Sequence, residues 1–406
     1  MAEIRPFRGI RYDVPEGELG RVLSPPYDVI SPEHQQALYA RDPRNVVRIV
    51  LNRTPGDGAY VDAGETFRRL LAEGVLVLEA EPAYYLLEQT FVDRGGSVRR
   101  LGLIARFRAE DPERGVILPH ERTRKEARED RYRLLEATHA NFSPIFLMFE
   151  DEGAFQNAVS GILKAPPSLA YEDDDGVGHR LFRVLDRGLQ KVFAGMIGGA
   201  RAFIADGHHR YATALRYRDA HGAEGAWTLG YFTPLGGQGL IVLPYHRLVR
   251  GGPLLEAARA GLLGYFEARE APSLRGLVEE LARSASPYAF GFSDGRTAFL
   301  AESRPEFLPL VPEDASPSLR ALDTYALHHG VFREILKVGD DQLEFHHSLP
   351  ALEARLSASA GLAILMRPTS VAQIVAVSLA QESMPPKSSF FYPKLPSGLV
   401  VHPIPS

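Results

Sequence analysis

A mixed α/β (α+β) fold is expected for this chain from three patterns. Short apolar runs of strand length, such as Ala202-Phe203-Ile204-Ala205, alternate with stretches that carry apolar residues at helical spacing. The run Ala83-Tyr84-Tyr85-Leu86-Leu87 faces Arg100-Leu101-Gly102-Leu103-Ile104-Ala105 across Arg94-Gly95-Gly96, which is the pattern of a hairpin. With 406 residues, 45% of them hydrophobic, the chain has enough apolar material for two or three domains. The expected division is an N-terminal α/β unit over 1–110, a core over 111–250 and a C-terminal α+β domain over 251–406.

In the first unit, Pro25-Pro26 is expected to hold Tyr27-Asp28 extended. That aromatic–acid pair either lines a substrate pocket or forms a plain turn. Ser31 then caps a helix with Pro32 at its first position. Residues 60–74 are amphipathic and helical, and the hairpin follows. Between 116 and 150 a short strand leads to Pro119-His120-Glu121. Thr123 with Glu126 fits a capping box, so a helix should start near Thr123. Arg122, Arg124 and Lys125 crowd that start, where the helix dipole disfavours cations. A polyphosphate would explain them; an exposed helix salted by Glu126, Glu129 and Asp130 is the plainer account. Glu121 sits in the approach loop, from which a general base can project. Asn141-Phe142-Ser143-Pro144 breaks the helix before a strand at 145–149.

The densest stretch is 201–220, RAFIADGHHRYATALRYRDA. An apolar strand end, the turn Asp206-Gly207 and a helix from His208 put N–H groups at a helix start, a ready anion site. His208, His209 and Arg210 add side-chain donors, and Asp206 adds a carboxylate. The competing account is an ordinary capped helix, with Asp206 as cap and two solvated histidines. Further on, Gly236-Gly237-Gln238-Gly239 turns into a buried strand, Leu240-Ile241-Val242-Leu243, ended by Pro244-Tyr245-His246-Arg247. His246 and Arg247 either join the pocket or mark a strand end. Residues 251–253 form a boundary. Two helices over 254–284, a hairpin over 288–300 and a helix over 319–336 are expected. The closing stretch, MPPKSSFFYPKLPSGLVVHPIP, reads as an ordered loop in which Lys387 and Lys394 point cations at an anion while Phe390, Phe391 and Tyr392 pack it down.

Composition narrows the function. The formal net charge of −5 argues against a general nucleic-acid coat or a membrane-surface protein. No 18-residue apolar run occurs and the start, MAEIRPFRGI, lacks a signal-peptide core, so a cytoplasmic protein is expected. Zero cysteines exclude disulfides, thiol nucleophiles and cysteine-bound zinc. Only six of the 46 basic residues are lysine. Three of those, Lys125, Lys387 and Lys394, fall in the motif stretches, where a compact ammonium suits a phosphate oxygen. The His-His pairs at 208–209, 328–329 and 346–347 place neighbouring rings about 100° apart on a helix. No dedicated metal site is expected, beyond Mg²⁺ brought by a nucleotide, which needs one or two carboxylates.

Six spaced motifs, PPYDVI at 25–30, LPHERT at 118–123, NFSPIF at 141–146, ADGHHRYATAL at 205–215, LPYHRLV at 243–249 and MPPKSSFFYPKLPSGLV at 384–400, resemble the prokaryotic family called domain of unknown function 1015. Its Asp-Gly-His-His-Arg element resembles the phosphate-contacting box of the ParB/sulfiredoxin-like superfamily and is similar to the archaeal free-serine kinase branch. The resemblance implies a ParB/sulfiredoxin-like nucleotide-binding core at 111–250. It makes Glu121 the base or substrate anchor, Asp206 the second catalytic carboxylate, and Gly207, His208, His209 and Arg210 the phosphate cradle. Arg122, Thr123, Lys125, Lys387 and Lys394 join the cofactor side; Tyr27, Asp28, His120, Asn141, His246 and Arg247 join the substrate side. The expected activity is phosphoryl transfer from a nucleotide (ADP, ATP or CTP) with Mg²⁺ to a small hydroxyl-bearing metabolite, free serine among the candidates. The alternative is a ParB-like nucleotide-binding switch or slow hydrolase, with DNA association weakened by the acidic charge. A homodimer stays open. The chain departs from the kinase branch by about 110 extra residues at its front and a long insert between Glu121 and Asp206, which leaves the substrate less defined than the fold.

Overall fold

The structure, a computed structural model, describes residues 2–15, 17–252 and 254–405, so Pro253 of the expected boundary lies outside it. The chain is mixed α/β and forms two compact units. The first takes the residues up to Pro119, Thr123–Leu240 and the segment from Pro393 onward; the second takes His120–Arg122 and Ile241–Tyr392. Among the described residues, no helix is long and apolar enough to cross a membrane.

The first unit is built on a nine-stranded sheet. Its strands are β1 (Ile4–Arg5), β2 (Tyr84–Asp93), β3 (Gly96–Arg108), β4 (Ile117–Leu118), β5 (Ile145–Phe149), β6 (Leu169–Glu172), β7 (Gly178–Val184), β8 (Ala202–Asp206) and β9 (Trp227–Pro234). They run in the order β4-β8-β5-β9-β3-β2-β7-β6, with β1 also on β3. Strand β3 pairs with β2 on one side and β9 on the other, so the expected division near 110 falls within one sheet. The hairpin forms where its turn residues require: Arg94 and Gly95 take positive φ, 47° and 80°, between the paired Asp93 and Gly96. The helices that matter here are α1 (Pro32–Arg41), α2 (Gly58–Ala72), α3 (Lys125–Thr138), α4 (Arg187–Gly198) and α5 (His208–Gly225). Ser31 Oγ accepts from His34 N at 3.1 Å and Pro32 leads α1, as its sequence requires. Phe107, Leu147, Phe149, Phe193, Ile204 and Phe232 pack fully buried on the sheet.

Two local expectations fail. Tyr27–Val29 is a 3₁₀ turn rather than extended. A proline restrains the residue before it, here Ser24 and Pro25, and leaves the pair after Pro26 free to turn. Helix α3 starts at Lys125 with Arg124 as its N-cap, and no side chain of its own segment caps it. His209 Nε2 accepts the Arg124 N–H at 3.0 Å, so a residue of α5 reaches the start of α3 but bonds the N–H of the N-cap residue rather than the one Thr123 is expected to cap.

The second unit holds a six-stranded antiparallel sheet of β10 (His246–Val249), β11 (Phe266–Ala271), β12 (Ala289–Ser293), β13 (Ala298–Ser303), β14 (Leu343–His346) and β15 (Leu362–Leu365), ordered β11-β13-β12-β15-β10-β14. Helices α6 (Leu274–Arg283) and α7 (Leu349–Ala358) supply Leu277 and Leu352 to its core with Leu248, Leu300 and Leu365. The 254–284 region does contain two helices, Leu255–Leu262 and α6, but β11 lies between them. Its Glu267, Arg269 and Glu270 hide the strand from an apolar pattern, as suits an edge. Ile241–Leu243 is only half-buried and pairs with Phe390–Tyr392, while His246 and Arg247 begin β10 rather than end a strand.

Candidate functional site

In the first unit the site is set by the end of β8. The pairing of β8 with β5 slips between Ile204 and Asp206, a bulge that re-aims Asp206 as the strand leaves the core. Gly207 follows at φ 96°, and α5 begins at His208 with no side-chain cap. A Cβ on Gly207 would lie 3.0 Å from the Arg210 guanidinium carbon, so the turn is open enough only for glycine. Asp206 is therefore not the helix cap. Its Oδ2 accepts from Arg210 Nη2 at 2.6 Å and its Oδ1 from Lys394 Nζ at 2.7 Å. Arg210 also donates to the Pro144 carbonyl. All three ionic side chains are less than a fifth exposed.

Burial pushes the Asp206 carboxyl up, but Lys394, Arg210 and His208 outweigh it and hold the group well below the usual carboxylate range. Such a carboxylate is a permanent anion and a poor proton acceptor. Two cations and a helix N-terminus around it form a cradle that an arriving phosphate can share.

Lys394 is placed by the sheet. Arg100 on β3 is fully buried and donates to the Pro393 carbonyl and to Gln89 Oε1; Gln89 Nε2 donates to the Lys394 carbonyl at 3.2 Å. Beside Arg210, an open cleft is lined by Tyr27, Arg131, Asn141, Ser143 and Thr213 among others. Arg131 lies over the Tyr27 ring at 3.9 Å, and burial pushes the Tyr27 hydroxyl up to about 12, with Arg131 opposing it. Asn141 Oδ1 bonds the His402 ring at 3.0 Å. Asp28 and Lys125 are exposed, and Thr123 is half-buried near the start of α3.

The second unit carries the other expected residues. His120 is buried, with Nε2 3.2 Å from Ser389 Oγ; Glu121 bridges Met384; Arg122 is exposed. Arg247 is buried and donates to the Lys387 carbonyl at 3.1 Å and to the Tyr245 carbonyl, and burial pushes its guanidinium down to about 10. Lys387 sits at φ 58° with its Nζ 3.5 Å from the Tyr245 hydroxyl. His246 is buried, its Nδ1 accepting from Met366 N, and burial, then Arg247 and two histidines, push it down to about 4. The ring expected on the substrate side is thus enclosed in a sheet, with one nitrogen engaged by the main chain.

The sequence reading missed Arg100, Gln89 and Arg131. The only signal for the first two was a polar pair, Gln89 and Arg100, set opposite each other in an apolar hairpin.

A comparison with solved structures finds low-level likeness to a mutant free serine kinase in complex with ADP (13% identity, 69% of this chain and 87% of that one, TM-score 0.37). A conserved hypothetical protein from Pyrococcus furiosus (14%, 69% and 90%, TM-score 0.34) and C-terminally truncated SbnI from Staphylococcus aureus (13%, 69% and 81%, TM-score 0.35) are similar to the same extent. No curated protein matches. A family model described as protein of unknown function (DUF1015) matches residues 4–325, four-fifths of the chain, and the chain belongs to that family.

Proposed function

We propose that the protein is a nucleotide-dependent phosphotransferase acting on a small hydroxyl-bearing metabolite. The observation that carries this reading is the Asp206 carboxylate held between Arg210 and Lys394 at the glycine turn into α5. Phosphoryl transfer asks a protein mainly for positioning and for neutralisation of phosphate charge, and this cluster offers both. Arg210, Lys394 and the first turn of α5 would take the phosphates, with Mg²⁺ arriving on the nucleotide. In the transfer the acceptor oxygen bonds phosphorus as the bond to the leaving nucleotide oxygen breaks. The hydroxyl proton goes to a base, a role the motif resemblance gives to Glu121. Free serine stays among the acceptors on that resemblance alone.

The test is a thermal-shift screen with nucleoside di- and triphosphates and Mg²⁺, with Arg210→Ala alongside, followed by ³¹P detection of a phosphorylated acceptor. A ligand-induced rise in the wild type, lost in the variant, is expected; no rise with any nucleotide sinks the reading. A second reading, a nucleotide-binding switch of the ParB/sulfiredoxin-like type without small-molecule transfer, is favoured by the weak basicity of Asp206. Binding that persists with no phosphorylated product across acceptors would select it.

A further inference from the structure

We infer that Arg100 and Gln89 form a buried grip on the main chain of Pro393 and Lys394 that positions the Lys394 ammonium on Asp206. The inference deepens the proposed site and rests on reading Lys394 as one of its cations. Gln89 and Arg100 face each other across the β2–β3 ladder, and both are fully buried. Arg100 donates through one edge of its guanidinium to Gln89 Oε1 and also to the Pro393 carbonyl. Gln89, its oxygen engaged, turns its Nε2 to the Lys394 carbonyl. Two successive carbonyls of the closing segment are thus fixed to the sheet, one by each residue of a cross-strand pair.

The same guanidinium lies over the Phe146 ring, 4.7 Å to its centroid. Phe146 is the β5 partner of Asp206 in the sheet. Arg100 therefore touches the frame of both ends of the Lys394–Asp206 pair and is a positioning residue for each. A planar fork with several donors can serve two acceptors and a ring face at once, whereas an ammonium cannot. A lysine stem has four rotatable carbons, so its head is only as well placed as the main chain beneath it.

The test compares Arg100→Met, Gln89→Met and Lys394→Met in the full chain by two readouts that need no ligand: the pH titration of the Asp206 carboxyl by NMR, and amide hydrogen exchange over 390–398. Lys394→Met should move the Asp206 titration up by about one pH unit or more. Arg100→Met should move it in the same direction and speed exchange over 393–396. Gln89→Met, which leaves the Arg100–Pro393 bond in place, should give a smaller change of the same sign. Arg100→Lys should restore part of it. An Asp206 titration unmoved by Arg100→Met but moved by Lys394→Met overturns the inference. If Arg100→Met does not fold, an unmoved titration in Gln89→Met overturns it. If Lys394→Met itself leaves Asp206 unmoved, the pair does not persist in solution and the grip has nothing to position. The nucleotide reading is then still judged separately, by the thermal shift.

Discussion

At Asp206, burial and charge pull in opposite directions, and charge wins. Burial alone makes a carboxylate a stronger base, while Lys394 and Arg210 within 2.7 Å make it a weaker one. Removing the anion leaves two part-buried cations facing each other, so Asp206→Asn should cost about 3–5 kcal/mol at pH 7 in urea unfolding. Because the folded carboxyl is depressed, its contribution is present above the ordinary carboxylate value and is lost as pH falls through the lower folded one. The gap between wild type and variant should therefore hold from pH 7 down to about 4 and close below it; a gap that is flat down to pH 3 contradicts the ion pair. A double variant with Lys394→Met should be less destabilised than the sum of the two single changes, as expected of groups in contact.

The strand–glycine–helix element makes a stricter demand. Gly207→Ala would force a left-handed φ on a residue with a Cβ and push that Cβ against the Arg210 guanidinium. A cost of about 1–2 kcal/mol is expected from the backbone alone. The nucleotide-induced thermal shift should fall further than that loss explains, because Arg210 leaves Asp206; a variant that melts lower yet keeps the full shift would show the cradle to be indifferent to the turn. Elements of this kind were legible because their signals are local. Ser31-Pro32 marked α1, Arg94-Gly95 marked the hairpin, and Asp206-Gly207 marked the turn into α5. Where the signal came from a distance, the reading failed: α3 starts without a side-chain cap of its own, and the N–H of its N-cap residue goes to His209, 85 residues away. β11 was lost behind the charges of an exposed edge. Lys394 was found by its rarity among arginines, but no periodicity could pair it with Asp206. Arg100 stayed hidden for the converse reason, being one arginine among many.

On the scale of the whole chain, the second unit is, apart from His120–Arg122, an insertion: residues 241–392 leave the first unit, and the chain returns to it at Pro393. The returning segment supplies Lys394 and the strand His402–Pro403, which pairs with Ala140–Asn141. A chain ending at residue 392 should therefore melt its first unit at a lower temperature, although no residue before Pro393 has changed; an unchanged melt would make the return ornamental. Buried His246 and His402 are pushed down to about 4 and about 3, chiefly by burial, and they sit in different units. As pH drops below about 6.5 the unfolded chain takes up protons that these rings refuse, so stability should decline between about pH 6.5 and 4, read as a falling urea midpoint. The insertion also sets an order of events during translation. Asp206 and Lys394 are 188 residues apart, which at ordinary elongation rates separates their synthesis by about 10–40 s. Throughout that interval the nascent first unit holds its anion and its arginine without the ammonium. Messages cut short anywhere before codon 394 yield polypeptides with an unfinished cradle.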